Sequence, residues 1–373
     1  MHVAQVNFVP PPAGMAPDEV FRHWPSLEDI AAAAAGAGTR VSVVQASPQP
    51  GRIVRDGIDY RFVELGEGAI QRPRRLAAML AGLRADVLHV HGLEFARDAH
   101  ALSGRLPHLP ILLQDHANRP PRWWRRRPWR PWFAAAAGVA FTSAELARPF
   151  VRARLFGPST RLFAIPESST RFTPGDRVLA RAESGLYGDP CLLWVGHLGS
   201  GKDPLTVLEG VARAALRLPS LHLWCAFGTA PLLDEVRRRI RHDPRLAGRV
   251  HLLGKVPHAR VETLMRAADL FVSGSRSESC GYAALEAIAC GVAPVLTDIA
   301  SFRALTGNGR IGQLWPCGEA GQLADALVRA AARRPTPAQV RAHFDATLSF
   351  RALGRLWADA YAQVMVDRWR SAG

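Results

Sequence analysis

The sequence predicts an α/β protein made of two doubly wound, Rossmann-like domains. Three observations carry this reading. Short apolar runs alternate with helical patterns along most of the chain, which argues for mostly parallel sheets covered by helices. The alternation runs as two series, separated by a Pro-, Gly- and Arg-rich segment at 170–189. The length, 373 residues with 48% hydrophobic and 21% charged, suffices for two cores. Ligands of such sheets bind beyond the strands' carboxyl ends, so two domains of this kind are expected to face each other across a cleft.

In the first series, strands are expected at 3–8, 40–45, 60–65, 86–90, 110–114 and 138–141, where apolar residues run together or alternate. Helical periodicity fills the intervals at 26–37, 74–83, 93–102 and 143–154. Ser26-x-x-Asp29 marks the start of the first of these helices, and Thr142-x-x-Glu145 reads as a capping box for the last. The second series has strands at 192–195, 221–226, 250–253, 270–273, 293–297 and 311–314, with helices at 204–216 and 231–241 among its intervals. The tail, 342–369, reads as one or two helices. The expected domains are therefore 1–172, a linker at 173–190, and 191–350.

Composition narrows the surroundings. No run of about 18 apolar residues occurs, so no membrane span is expected. The N-terminus MHVAQVNFVPPPAG lacks the basic-then-apolar pattern of a secretory signal. Five cysteines, at 191, 225, 280, 290 and 317, form no C-x-x-C pair and read as reduced thiols. A cytoplasmic location is the default expectation. The formal charge of +15 points to an anionic partner: phosphorylated substrate, membrane surface or nucleic acid. Only two of the 47 basic residues are lysines, Lys202 and Lys255, and both follow expected strands, where a compact ammonium suits phosphate contact.

The chain is organised around residues 273–298, which read as strand end, polar loop, helix, glycine stop and strand. The helix begins near Gly281, so the N–H groups of Ser279, Cys280, Gly281 and Tyr282 are placed to meet a phosphate or a sugar hydroxyl, with the helix dipole assisting. Glu278 lies in the loop. Glu286 lies inside the helix among Ala283, Ala284, Leu285, Ala287, Ile288 and Ala289, a setting that makes a carboxylate costly unless something hydrogen-bonds to it. A ribose diol would serve. The plainer alternative has Glu286 facing water at a helix edge and Glu278 as a helix-start acid.

The spacing Glu278-x7-Glu286, followed by Cys290-Gly-Val-Ala-Pro-Val295, resembles the donor-site motif of retaining glycosyltransferases of family four, which have the GT-B fold. The resemblance implies that Glu278 contacts the transferred sugar and that Glu286 binds the nucleotide ribose. It also implies a nucleotide-sugar donor as co-substrate, with no other cofactor. No Asp-x-Asp pair occurs, so no metal is expected to bridge the diphosphate.

Other stretches extend the likeness. Gly196-His197-Leu-Gly-Ser-Gly-Lys202-Asp-Pro204 offers glycines for close approach and a lysine charge, and looks like the family's Gly-Arg-x-x-x-x-Lys diphosphate loop with His197 in place of arginine. The alternative is a plain βα turn. Val256, after the strand at 250–253, stands where family members read the base through backbone groups. Asp86-Val-Leu-His89-Val-His91 is similar to the family's strand end, which puts His91 beside the donor sugar and, with less support, His116 at the acceptor pocket. Without the resemblance, both histidines read as structural residues. The implied catalytic set is His91, Lys202 and Glu278. Gly14, in Pro10-Pro-Pro-Ala-Gly14, stands where the family has a glycine pair on the acceptor side, and Ile165-Pro-Glu-Ser-Ser-Thr170 replaces the usual domain junction. The last helix, about 351–373, is expected to pack back on the first domain, as in the family.

The segment from Arg119 to Phe133 holds six arginines and four tryptophans. Such a mixture suits an anionic membrane surface, in which case the protein would sit at the inner membrane face. Aromatic and basic residues together also suit single-stranded nucleic acid, and the tryptophans could simply pack on the domain. Prolines prevent a regular helix through the whole stretch. The leading expectation is a glycosyltransferase acting on a glycan, lipid-linked or small-molecule acceptor, without nucleic acid as a partner. The alternatives are a sugar-nucleotide epimerase or hydrolase of the same fold, and a non-catalytic basic module that binds membrane or nucleic acid.

Overall fold

The computed structural model describes residues 1–66 and 68–371, with the side chains at 25, 26, 69 and 367–371 outside the description. The helix expected to start at Ser26 starts one residue earlier, at Pro25, with Trp24 as its N-cap, so Ser26 stands inside its first turn. The chain divides into two compact units, Met1–Ser169 with Phe350–Gly373, and Thr170–Ser349.

The first unit holds an eight-stranded sheet of β1 (His2–Asn7), β2 (Arg40–Ala46), β3 (Gly51–Arg55), β4 (Ile58–Val63), β5 (Val87–His91), β6 (Ile111–Gln114), β7 (Gly138–Phe141) and β8 (Arg161–Ala164). Their order is β3-β4-β2-β1-β5-β6-β7-β8, and only the β3–β4 pairing is antiparallel. Period-two alternation sorts the side chains into two cores. In β5, Val87 joins the layer containing Leu353, Trp357 and Tyr361, while Leu88 and Val90 join the opposite layer with Leu76, Leu102 and Phe133. Helix Phe350–Ser371 thus covers one face. Gly354 permits its close approach to helix Pro25–Gly36, since a Cβ there would lie 2.1 Å from the Ala33 carbonyl oxygen.

The second unit holds β9 (Cys191–Gly196), β10 (His222–Phe227), β11 (Val250–Gly254), β12 (Leu270–Ser273), β13 (Ala293–Thr297) and β14 (Gln313–Trp315). They are ordered β11-β10-β9-β12-β13-β14, and every pair is parallel. In each sheet the order of strand addition reverses at the middle, between β1 and β5 and between β9 and β12. At such a reversal the loops diverge and leave a crevice beyond the strand ends.

Several local expectations change. The segment 173–190 is no free linker: helix Arg177–Ser184, capped by Asp176 accepting the Val178 and Leu179 N–H groups, belongs to the second unit. Buried Asp269 holds it there, accepting from Arg177 at 3.0 Å, Arg181 at 2.7 Å and the Cys191 N–H at 2.8 Å. The Thr142-x-x-Glu145 box does not form. Ser143 is the N-cap of helix Ala144–Arg152 and its side chain makes no capping bond. The helix expected at 93–102 splits into a 3₁₀ turn, Leu93–Phe95, and helix Ala96–Arg105. Strands β3 and β8 were not expected; both are short edge strands left largely exposed, and β3 has only Ile53 and Val54 as an apolar run.

Candidate functional site

In the second unit, the loops after β9 and β12 meet at the crevice. The first leaves Gly196, makes a 3₁₀ turn at Ser200–Lys202, passes through Asp203 at φ 50° and enters helix Pro204–Ala215. The second starts at Gly274, where a Cβ would stand 2.7 Å from Val207 Cγ2 and 3.1 Å from the carbonyl oxygens of Lys202 and Asp203. Only glycine lets these backbones lie so close. Arg276 fastens the contact, donating its N–H to Gly201 O at 2.9 Å and its guanidinium to Asp203 Oδ2 at 2.7 Å. The result is an ion pair between the Lys202 ammonium and the Glu278 carboxylate, 76 positions apart in sequence. His197 is exposed, and its Nδ1 accepts the Thr229 N–H at 3.2 Å.

Ser279 and buried Cys280 lead into Gly281, the N-cap of helix Tyr282–Ala289, at φ 71°. A Cβ on Gly281 would come within 2.7 Å of Phe302, so the turn has neither the backbone freedom nor the space for another residue. Glu286 is 7% exposed, which removes the reading of a solvent-facing helix acid. Its partner is one that sequence reasoning missed: His258 Nε2 lies 2.7 Å from Glu286 Oε1. Burial pushes the Glu286 carboxyl above its ordinary range, and the His258 hydrogen bond pulls it part of the way back. His258 opens helix His258–Ala267 directly after Val256 and Pro257, with its ring 5.1 Å from that of Phe172. Val256 is half-buried in the turn following β11, and Lys255 is exposed.

The first unit builds a separate group at the carboxyl ends of β1, β5 and β6. Asn7 and His91 are register partners there, and His91 pairs with Gln114 on its other side. His89 is fully buried between Tyr361 Oη at 2.8 Å and Gln114 Oε1 at 3.0 Å, and burial drives its pKa down to about 3. His91 Nδ1 lies 3.3 Å from His116 Nε2, and His116 Nδ1 lies 2.7 Å from Glu167 Oε1. Burial, then the neighbouring imidazoles, hold His91 well below the ordinary histidine range. The Asn118 side chain ties the turn together by accepting the N–H groups of Leu93 at 3.1 Å and His116 at 3.3 Å.

A pocket of about 250 Å³ opens here, lined by Asn7, Trp24, Ile30, His91, Glu94 and His116 among others. The structure therefore brings His91 and His116 together. Gly14 lies in an exposed turn after β1 at φ 86° and is not among the lining residues. Glu167 and Asn118 were also missed in the sequence; each lies in a junction or turn whose partners are set only by the sheet. Among the described residues, no group of three His, Cys, Asp or Glu is placed to hold a metal ion.

Residues 189–333 match the family model described as glycosyl transferases group 1. The second unit is a group 1 glycosyl transferase domain. All the expected donor-side residues, from Gly196 to Glu286, lie within that matched span of the domain. Among relatives, the D-inositol 3-phosphate glycosyltransferase of Nocardia farcinica is 32% identical over 203 residues, 52% of this chain and 45% of that protein. Its Mycobacterium bovis counterpart is 35% identical over 160 residues, 42% of this chain and 32% of that protein. The chain spans less than half the length of these relatives.

Solved structures match over nearly the whole chain. A glycosyltransferase from Rickettsia africae superposes with TM-score 0.75 at 13% identity, covering 98% of both chains. Sucrose-phosphate synthase from Thermosynechococcus elongatus gives 0.68 at 18%, covering 98% of this chain and 99% of that one. Anabaena Alr3699/HepE in complex with UDP-glucose gives 0.65 at 17%, covering 97% and 100%. At such identities the likeness speaks for the fold, and the fold carrying the glycosyl transferase domain is GT-B.

Proposed function

We propose that this protein is a retaining glycosyltransferase that moves a sugar from a nucleotide-sugar donor to a hydroxyl of a glycan, lipid-linked or small-molecule acceptor. The observation that carries the reading is the Lys202–Glu278 pair, which joins the two crevice loops of the glycosyl transferase domain and sets a cation beside a carboxylate that can accept hydrogen bonds from sugar hydroxyls. Gly196, Lys202 and the amides from Ser279 to Tyr282 would stabilise the departing diphosphate, which is electrostatic catalysis of leaving-group charge. His197 would add a ring N–H there, its Nδ1 being engaged by Thr229. Glu278 would hold the transferred sugar, Glu286 the ribose, and the backbone near Val256 the base. Glu286 is suited to a diol because it is buried and ready to accept hydrogen bonds beyond that of His258.

The pocket lined by His91 and His116 is the acceptor side of the proposal, with Glu167 and His116 fixing the tautomer that His91 presents. Neither Lys202 nor the helix amides need a metal to meet a diphosphate, so transfer is proposed to survive chelation. Cysteines read as reduced thiols suit the reducing cytoplasm. UDP sugars are the first donors to try, because the Anabaena neighbour was solved with UDP-glucose.

The test is a thermal-shift panel of UDP, GDP and ADP sugars, followed by product analysis with and without acceptor in the presence of EDTA. Donor-dependent stabilisation and a product with the donor's anomeric configuration support the proposal. Free sugar or an epimer formed without acceptor would replace it with hydrolysis or epimerisation, and an inverted product would remove retention.

A further inference from the structure

We propose that the surface carrying Trp123 and Trp124 docks onto an anionic lipid bilayer. The inference stands apart from the transfer reaction, since it rests on a surface of the first unit that uses none of the donor- or acceptor-side residues.

The first observation is uncompensated charge. Between Asp115 and Glu145 the chain has six arginines and no acid. Elsewhere arginines pair freely: Arg72 with Asp98, Arg177 and Arg181 with Asp269, Arg245 with Asp243. Among the described residues, no ion pair includes Arg119, Arg122, Arg125, Arg127 or Arg130, and all five are exposed. A cluster of unneutralised guanidinium groups raises the local potential and calls for an external anion.

The second observation is the sorting of the tryptophans. Pro120 and Pro121 precede a 3₁₀ turn, Trp123–Arg125, which runs into helix Arg126–Ala134. That helix turns Phe133 into the core at 1% exposure and lays Trp129 and Trp132 against it. Trp123 and Trp124 go the other way, at 75% and 55% exposure. The inner aromatics thus account for the helix's attachment to the unit, and the outer pair is left for something else. Two adjacent exposed indoles among arginines match the headgroup region, where the ring is half-solvated and the cation meets phosphate.

The geometry favours a bilayer over single-stranded nucleic acid. Base stacking needs a free ring face. Here the Arg122 guanidinium lies over Trp124, 5.3 Å from its centroid, and Trp123 meets Trp124 edge-on at an interplanar angle of 88°, so the two rings cannot hold successive bases in one stack. Entry into a headgroup layer requires only that the rings protrude beside cations. The contact proposed is a peripheral one, made by side chains of a short turn at the surface.

The experiment is co-sedimentation of the full chain with vesicles of phosphatidylcholine alone and of phosphatidylcholine with phosphatidylserine, at low and high salt, with a fluorescein-labelled oligonucleotide as competitor. Wild type is expected to pellet with the anionic vesicles only, to be released by salt, and to show a blue-shifted tryptophan emission on binding. Trp123→Ala/Trp124→Ala is expected to lose the shift and weaken binding at least tenfold. Each of Arg122→Gln, Arg125→Gln and Arg127→Gln is expected to weaken it about fivefold. These positions are exposed, and an unchanged melting temperature with unchanged donor-induced stabilisation separates loss of docking from loss of the transfer site. Equal binding to both vesicle types, no binding by wild type, variants that bind as wild type does, or displacement from vesicles by the oligonucleotide would each overturn the proposal.

Discussion

The Glu286 carboxylate and the His258 imidazole lie 2.7 Å apart, joining the helix that follows β12 to the turn that follows β11. The pair matters because Glu286 is otherwise surrounded by alanine and leucine in a helix packed on nearly every side. A carboxylate held there carries a desolvation cost, and the proposed contact with a ribose diol would account for it.

Glu286→Gln is therefore expected to stabilise the protein at neutral pH while weakening donor binding about tenfold or more, through loss of a charged hydrogen-bond acceptor. The sign follows from the raised carboxyl pKa, caused first by burial. The folded state holds this proton more tightly than the unfolded chain does, so stability falls as pH rises through the window between the two values. Melting curves of variant and wild type should converge at pH values below the ordinary carboxylate range. Calorimetric titration with a nucleoside diphosphate checks the affinity.

Lys202→Ala is expected to lower turnover by about 10²–10³-fold, the scale for removing one preorganised group that stabilises leaving-group charge. Its effect on melting should be small, about 1 kcal/mol or less, because the lysine side chain is 30% exposed and its pair with Glu278 is partly screened. Steady-state kinetics with a saturating donor separates the two effects. Wild-type turnover in this variant would remove Lys202 from the mechanism.

Gly274→Ala tests the contact between the crevice loops. The added methyl has no free space beside Val207 and the carbonyls of Lys202 and Asp203, so a cost of about 1–3 kcal/mol is expected from overpacking. The loops should be forced apart and the Lys202–Glu278 pair disturbed, with donor-induced stabilisation falling alongside. Chemical denaturation and the donor thermal shift measure both.

Acid should destabilise the first unit through its buried imidazoles. Burial lowers the His89 pKa to about 3, and burial also holds His91 well below the ordinary value. In each the folded value lies below the unfolded one. Stability is therefore fully present above the ordinary histidine pKa of about 6.5 and is lost as pH falls toward about 3. Asp115, raised to about 6 by burial, works in the opposite direction between its ordinary range and that value. His89→Gln is expected to flatten the acid limb of a melting-temperature profile, and an unchanged slope would show that other groups govern it.

Much of the site was legible before the fold was known. Gly196 ends a strand, Lys202 and Glu278 lie in loops and Gly281 caps a helix, positions that punctuation residues mark in sequence, and Glu286 stands out as an acid among apolar residues inside that helix. His258 and Glu167 were not legible, because a histidine after proline and an acid in a domain junction gain meaning only from partners 28 and 51 positions away. The segment 173–190 looked like a linker for a similar reason. Its helix is short, and what fixes it is Asp269, 92 and 88 positions beyond the arginines it holds.

By itself the sequence determined the alternation of strand and helix, the two-domain α/β class and the residues at strand ends, since hydrophobic period and turn chemistry are local properties of the chain. Only the tertiary structure decided which loops touch, that Lys202 pairs with Glu278, that Glu286 is buried against His258, and that Trp123 and Trp124 face outward while Trp129 and Trp132 face in. Strand order, crossover packing and burial bring distant residues together, and none of these is written in the period of any single segment.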